Sequence, residues 1–306
     1  MSMNRAQFKK QLQQGLNAVA GQAYDYESKS DVWREYLDVE TENEKGYVEE
    51  VMMAGFGAAT VKAEGGGVGY QTTGETYTAR YIFETIAIAF SITEEAEEDN
   101  LYGSIGKRLA KAAARSMVHT KAVKSANVLN NGFDATNYPI GDGAALLSSA
   151  HPVRVGGNQS NILTTAADLS ETSLEDTLNN IEGALDDAGL PIGLTAMKLV
   201  VPYQLRFIAH RIMFANGRVD TNYNDPNAIK DMGMLAGGIV VDKRLTDTDA
   251  WFIKTDCPDG MKHIVRKSLS KKVEGDFDSG NMRFKLRERY VNGATDWRGV
   301  FGTAGG

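Results

Sequence analysis

Three groups of residues have the types and spacing that chemistry could use: a glycine-rich run, four histidines and an acidic cluster. The run "AEGGGVGYQTTGET", residues 63–76, holds five glycines, the density of a loop that cradles phosphate. A phosphate loop of the form G-x-x-x-x-G-K-[ST] needs a lysine after its last glycine, and none follows here. A dinucleotide fingerprint, G-x-G-x-x-G, fails in both registers: from Gly67 and Gly69 the third position is Thr72, and from Gly65 and Gly67 it is Tyr70. The run also precedes a strand instead of joining a strand to a helix. Phosphate binding is therefore rejected, and the glycines are read as the compliant part of a hairpin.

His119, His151, His210 and His263 are far apart in sequence, and none belongs to H-E-x-x-H or a short-spaced metal pair. His151 precedes Pro152 and reads as a loop boundary. No G-x-S-x-G elbow anchors a serine hydrolase. The cluster "EEAEED", residues 94–99, lacks calcium-loop spacing and reads as a charged helix start. Cys257 is the single cysteine, which excludes an internal disulfide and fits a reducing compartment. No catalytic residue, metal or cofactor is expected.

The elements that position these residues are α+β in order. "NRAQFKKQLQQGLNAVAG" places Phe8, Leu12, Leu16 and Val19 on one helical face, with Gly21 a stop. The following segment carries Trp33, Tyr36 and Leu37 as footholds, either for an arm on another surface or for packing within the domain. "YQTTGETYTARY" and "YIFETIAIAFSIT" read as strands from their β-branched and aromatic content and alternation. A long helix is predicted over 94–129, capped by Thr93 and stopped by Gly132, with acidic early turns and basic later ones that suit the helix dipole. Its apolar stripe is read as Leu101, Ile105, Leu109, Ala112 and Ser116.

Residues 133–170 are loop-rich. A second helix is predicted over 173–188, with Ser173 as cap, Leu174, Leu178, Ile181 and Leu185 on one face, and Gly189 as stop. "AMKLVVP" reads as a buried strand and "PYQLRFIAHRIMFAN" as a helix packed by Leu205, Phe207, Ile208 and Ile212. "GGIVVDKRLTDTDAWFIKT" holds two strands, and three more follow with turns at "DFDSGN" and "NGATDW". "RFKLRERY" alternates Phe284, Leu286 and Glu288 with Arg283, Lys285, Arg287 and Arg289, so one side is strongly basic and suited to carboxylates of a neighbouring subunit.

Composition narrows the function. Hydrophobic residues make up 42% and charged residues 24% of 306, an ordinary globular balance. The net charge of −7 gives no global basic field toward nucleic acid. The N-terminus has no apolar secretory core, and no stretch approaches the roughly 18 apolar residues of a membrane span.

The sequence resembles tailed-bacteriophage major capsid proteins of the HK97-type fold, in particular the group of Mu-like major head subunits. The resemblance rests on "MRFKLRERYVNGATDWRGVFGTAG" (282–305), "LLSSAHPVRVGGNQSNIL" (146–163), "KLVVPYQLRFIAHRI" (198–212) and "LTDTDAWFIKTD" (245–256), within a matching order of elements over nearly the full chain. It implies an N-terminal arm (1–45), an extended E-loop hairpin with flanking strands (46–93), a peripheral domain with a long spine helix (94–189), an axial domain (190–262) and C-terminal strands returning to the peripheral domain (263–306).

It further implies a homo-oligomer of pentamers and hexamers that self-assembles into an icosahedral shell around double-stranded DNA, enclosed without sequence-specific binding. A portal protein and a separate scaffolding protein are implied partners, a decoration protein is a further one, and no membrane is involved. The implied location is the virion capsid, assembled in the host cytoplasm. Contacts between subunits are expected at Trp33, Tyr36, Gly65, Gly66, Gly67, Gly69, Tyr70, Arg283, Arg287 and Arg289. The isopeptide crosslink of one relative is not expected: Lys62 and Glu64 lie in the implied loop, but no complete Lys, Asn and Glu set is matched. The rival readings are a tube or decoration subunit of a virion, and an enzyme whose site would gather two or more of the histidines with carboxylates.

Overall fold

A computed structural model describes residues 9–29, 31–42, 45–93, 95, 102–217, 226–276 and 280–306. The chain opens with α1 (Lys9–Ser28), a 3-10 turn over Val32–Glu35 and β1 (Asp38–Thr41). Next come β2 (Tyr47–Met53), β3 (Glu75–Ile82), β4 (Glu84–Ile92) and the long α2 (Tyr102–Asn130). A short ribbon, β5 (His151–Pro152) and β6 (Asn158–Gln159), leads to α3 (Glu171–Glu182), β7 (Ala196–Val201) and α4 (Arg206–Phe214). The remainder is α5 (Ala228–Asp231), β8 (Ile239–Val241), β9 (Trp251–Thr255), β10 (Met261–Gly275), β11 (Met282–Ala294) and β12 (Val300–Thr303).

The architecture is mixed α+β with open sheets. One sheet has the order β1-β10-β11-β4 and a second β12-β9-β7-β8, while β2 pairs with β3 and β5 with β6. Alternation fixes the first sheet's faces: Met282, Phe284 and Leu286 of β11 are buried against α1 and α2, and the residues between them face outward. In the second, Leu199, Val201, Trp251, Ile253 and Phe301 share a core with Leu174, Leu178 and Ile181 of α3.

Several expectations need correcting. α1 does not stop at Gly21 but runs to Ser28. A Cβ at Gly21 would run into Lys271 Nζ, which donates to Asn17 O at 3.3 Å, so this glycine admits a strand against a helix. The buried stripe of α2 is Ala110, Ala113, Ala114, Met117 and Val118; Leu109, Ala112 and Ser116 are exposed. Alanines allow α1 and the sheet to approach closely, and that face carries little hydrophobic signal in sequence. The expected start at Thr93 falls against residues 94 and 96–101, which lie outside the described ones, as do the side chains of Leu101 and Ile105.

The cap of α3 is Ser170, whose hydroxyl accepts from Ser173 N at 3.1 Å, with Ser173 at the third helical position. The helix closes at Gly183, short of Leu185 and Gly189, because Asp186 folds the next residues into a turn by accepting from Ala188 N and Leu190 N. Phe207 of α4 is 71% exposed and does not pack inward. The turn expected at "NGATDW" begins only after Ala294, since Gly293 stays in the strand to admit the Tyr81 ring.

Candidate assembly surfaces

β2 and β3 pair from Tyr47↔Ile82 to Met53↔Glu75, and the chain between them leaves the body as a two-armed loop. Gln71 Nε2 donates to Ala58 O at 3.0 Å, and Gly66 N to Ala63 O at 3.0 Å, so the arms stay together out to a turn at Ala63–Gly66. Every residue from 55 to 76 is exposed. The loop nonetheless carries large apolar side chains: Phe56 is 59% exposed, Val61 99%, Val68 67% and Tyr70 98%. Such a concentration of exposed apolar surface is more than a monomer's surface ordinarily carries in one place. The glycine run sits at this tip, between two antiparallel strands, in neither of the contexts that phosphate binding requires. Gly65 adopts φ +74°, while Gly66, Gly67 and Gly69 do not have positive φ.

The hairpin's base is fixed by an ionic anchor that no sequence motif announced. Lys262 of β10 is 4% exposed and contacts Glu40 at 3.1 Å, Glu50 at 2.8 Å and Asp259 at 2.7 Å. Burial alone would lower its pKa, but hydrogen bonds to Asp259, Glu50 and Glu40 outweigh that and raise it. Thr295 Oγ1 donates to Glu50 and takes the Tyr81 hydroxyl, while Tyr77 OH donates to Thr295 O at 3.1 Å. The anchor joins residues 40, 50, 259, 262 and 295, so their separation in sequence hid it.

Trp33 and Tyr36, expected at a contact between subunits, lie inside the subunit at 1% and 0% exposure. Tyr36 OH donates to Asp242 Oδ2 at 2.9 Å, and the Trp33 ring lies 4.4 Å from that of His263. Arg283 and Lys285 are exposed and Arg287 and Arg289 half-buried, all on the outward face of β11. Glu288, on the opposite face, is buried and paired with Lys121 of α2.

The four histidines share no partner. His119 and His210 are exposed, the latter against the Phe214 ring at 4.9 Å. His151 is fully buried, with Nδ1 2.7 Å from Asp142 Oδ2, Nε2 3.2 Å from Asn161 Oδ1 and its ring stacked on Trp297 at 4.5 Å. His263 meets Asn292 Oδ1 at 2.5 Å. Among the described residues, no group of His, Cys, Asp and Glu could hold a metal ion. Cys257 is buried, and burial, then the nearby Asp296 carboxylate, push its thiol pKa up, away from reactivity.

Burial pushes the His263 pKa down to about 4. Lys121 and Arg34 act in the same direction, and the Asn292 contact opposes them. The fold thus favours the neutral ring, and its contribution to stability is complete above the unfolded pKa near 6.5 and lost as pH falls through about 4. The expected result is a steepening loss of stability between those values, worth up to about 3 kcal/mol. Urea unfolding across that window tests it; an unchanged slope in His263→Asn would refute the assignment.

A family model described as "Phage capsid protein" matches residues 75–302, from the start of β3 almost to the end of β12. Among solved structures, the chain is similar to the virus-like particle from Pyrococcus furiosus, at 12% identity over 94% of this chain and 97% of that one, with a TM-score of 0.55. It is similar also to the capsid of a native GTA particle, at 14% identity over 89% of both chains and a TM-score of 0.57. Microbacterium phage Oxtober96 gives 12% identity over 89% and 90%, with a TM-score of 0.52. At these identities the likeness is one of fold. No curated protein matches the sequence.

Proposed function

The chain belongs to the phage capsid protein family, and we propose that it is the major subunit of an icosahedral head shell, of HK97-type fold, that encloses double-stranded DNA. It is a structural protein and not an enzyme. The observation that carries the finer reading is the exposed loop between β2 and β3, whose apolar side chains have no covering surface among the described residues.

In this reading residues 1–45 form the N-terminal arm, 46–93 the E-loop and its strands, 94–189 the peripheral domain with α2 as spine, 190–262 the axial domain, and 263–306 the returning strands. The pairing of β12 with β9 also ties those last strands to the axial part. The loop tip, with Gly65, Gly66, Gly67, Gly69 and Tyr70, lies against a neighbour, and the repetition of such contacts around pentamers and hexamers makes individually modest contacts collectively strong. Portal, scaffolding and decoration proteins are the partners that a head shell requires or accepts.

Electron microscopy of the expressed subunit tests the assignment. Closed icosahedral shells are expected; tubes, or trimers that bind only finished shells, would overturn it. Replacing Gly65, Gly66 and Gly67 by valine is expected to abolish shells while shifting the subunit's melting by no more than about 1 °C. The φ of Gly65 disfavours a β-branched residue, but its strain stays in an exposed loop. Normal shells from the folded triple variant would remove the loop from the assembly mechanism.

A further inference from the structure

The outward face of the β4–β11–β10 sheet carries a charge pattern that the contact of the β2–β3 loop does not explain. The register sets four rows across it: Ser91, Arg283 and Glu274; Ala89, Lys285 and Lys272; Ala87, Arg287 and Ser270; and Thr85, Arg289 and Lys267. Among the described residues, six cations therefore stand on a face whose carboxylates are Glu274 and, just beyond β10, Asp276. Lys272 pairs with Glu274, and Arg283 with Asp276 at 2.5 Å. Lys267, Lys285, Arg287 and Arg289 have no ion pair among the described residues. In a chain of net charge −7, this is a local inversion of sign.

We propose that this face is a nucleic-acid docking surface, gripping the phosphodiester backbone without reading base sequence. Three features favour a polyanionic rod over a protein partner. First, the β4 edge offers only Thr85, Ala87, Ala89 and Ser91, all exposed and small, so nothing on that edge screens Arg283 and Lys285, which are exposed, or Arg287 and Arg289, which are half-buried. Second, the large exposed apolar residues lie elsewhere, on the hairpin loop and α4 among other places, and none is on this face. A protein interface needs an apolar centre, whereas a backbone-binding surface needs cations. Third, alternate strand residues are about 6.8 Å apart, so Arg283 to Arg289 spans roughly 20 Å, or about six base-pair rises of 3.4 Å.

The surface carries no donor pattern fixed for base edges, so sequence should not matter. The competing occupant is a carboxylate-rich surface of a second copy, facing Arg283, Arg287 and Arg289. Binding is measured on unassembled full-length subunits, so that it stands or falls apart from shell formation.

The probe is a fluorescein-labelled 20-base-pair duplex in two unrelated sequences, followed by anisotropy between about 50 and 200 mM KCl. We expect equal affinity for both duplexes, with a slope of log K against log salt of about −3 to −4, corresponding to about four phosphates. The variant Lys285→Gln/Arg287→Gln/Arg289→Gln should lose most of that slope and at least about tenfold in affinity at 50 mM salt. Lys107→Gln/Lys111→Gln/Arg115→Gln removes the same charge from the exposed side of α2 and should change neither quantity. Thermal melting by circular dichroism verifies that both variants fold. The proposal is overturned if the wild type does not bind, if both variants lose binding equally, or if the β11 variant keeps duplex binding and fails only in shell formation. That last outcome would assign the face to a neighbour's carboxylates.

Discussion

Asn161→Ala is expected to destabilise the isolated subunit by at least about 4 kcal/mol, lowering its melting by roughly 10 °C. The side chain is 1% exposed and holds five groups at once. Its Nδ2 donates to Leu146 O at 2.7 Å, Val300 O at 3.0 Å and Trp297 O at 3.1 Å, two hydrogens shared among three carbonyls. Its Oδ1 accepts from Ser148 N at 2.9 Å and meets His151 Nε2 at 3.2 Å. Alanine leaves four buried groups and the half-buried Ser148 N without this partner, and an unsatisfied buried group costs about 1–3 kcal/mol. Asn161→Asp should not rescue, because a carboxylate cannot donate to carbonyls. Asn158→Ala, on exposed β6, should move the melting by no more than about 2 °C. Differential scanning calorimetry decides the matter, and equal melting of the Asn161 and Asn158 variants would refute the account.

Lys262→Met is expected to cost about 3–5 kcal/mol, the scale for removing one partner of a buried ion pair. Glu40, Glu50 and Asp259 would then face one another without the cation that they share, and β2 would lose its tie to β10. Hydrogen exchange should accelerate first in β2 and β3, while α3 and β7 remain protected. Adding Glu50→Gln to Lys262→Met should recover part of the loss, since one of the repelling charges is gone. Because the folded pKa of Lys262 is raised, its contribution is complete below the unfolded value near 10.4 and disappears only as pH rises through the folded one. A variant that melts like the wild type, with unchanged exchange in the hairpin, would show that the anchor is dispensable.

Much of the fold was legible because burial alternates in strands. "RFKLRERY" reads inward and outward in turn, and β11 buries Phe284 and Leu286 while exposing Arg283 and Lys285. Even Glu288 fits, once Lys121 supplies its counter-charge. The stripe of α2 was not legible: its packing face is largely alanine, and the eye is drawn to Leu109, which is exposed. Phe207 misled because size and apolarity do not fix direction on a helix: α4 buries Ala209, Ile212 and Met213, and Phe207 falls off that face. Of the expected contact residues, the loop glycines and Tyr70 are exposed, whereas Trp33 and Tyr36 are consumed by the subunit's own core. The anchor at Lys262 was invisible because its ligands come from β1, β2 and the turn before β10, brought together only by the finished sheet.

The uninterrupted exposure of residues 55–76 has a consequence over evolutionary time. A segment with no buried side chain is released from the constraints that hold a core, so nearly any sequence of workable length leaves the subunit folded. Selection then acts on it only through what it touches. Under the proposed docking, loop and receiving surface can drift together, lineage by lineage, above a scaffold whose sheets and long helix stay the same.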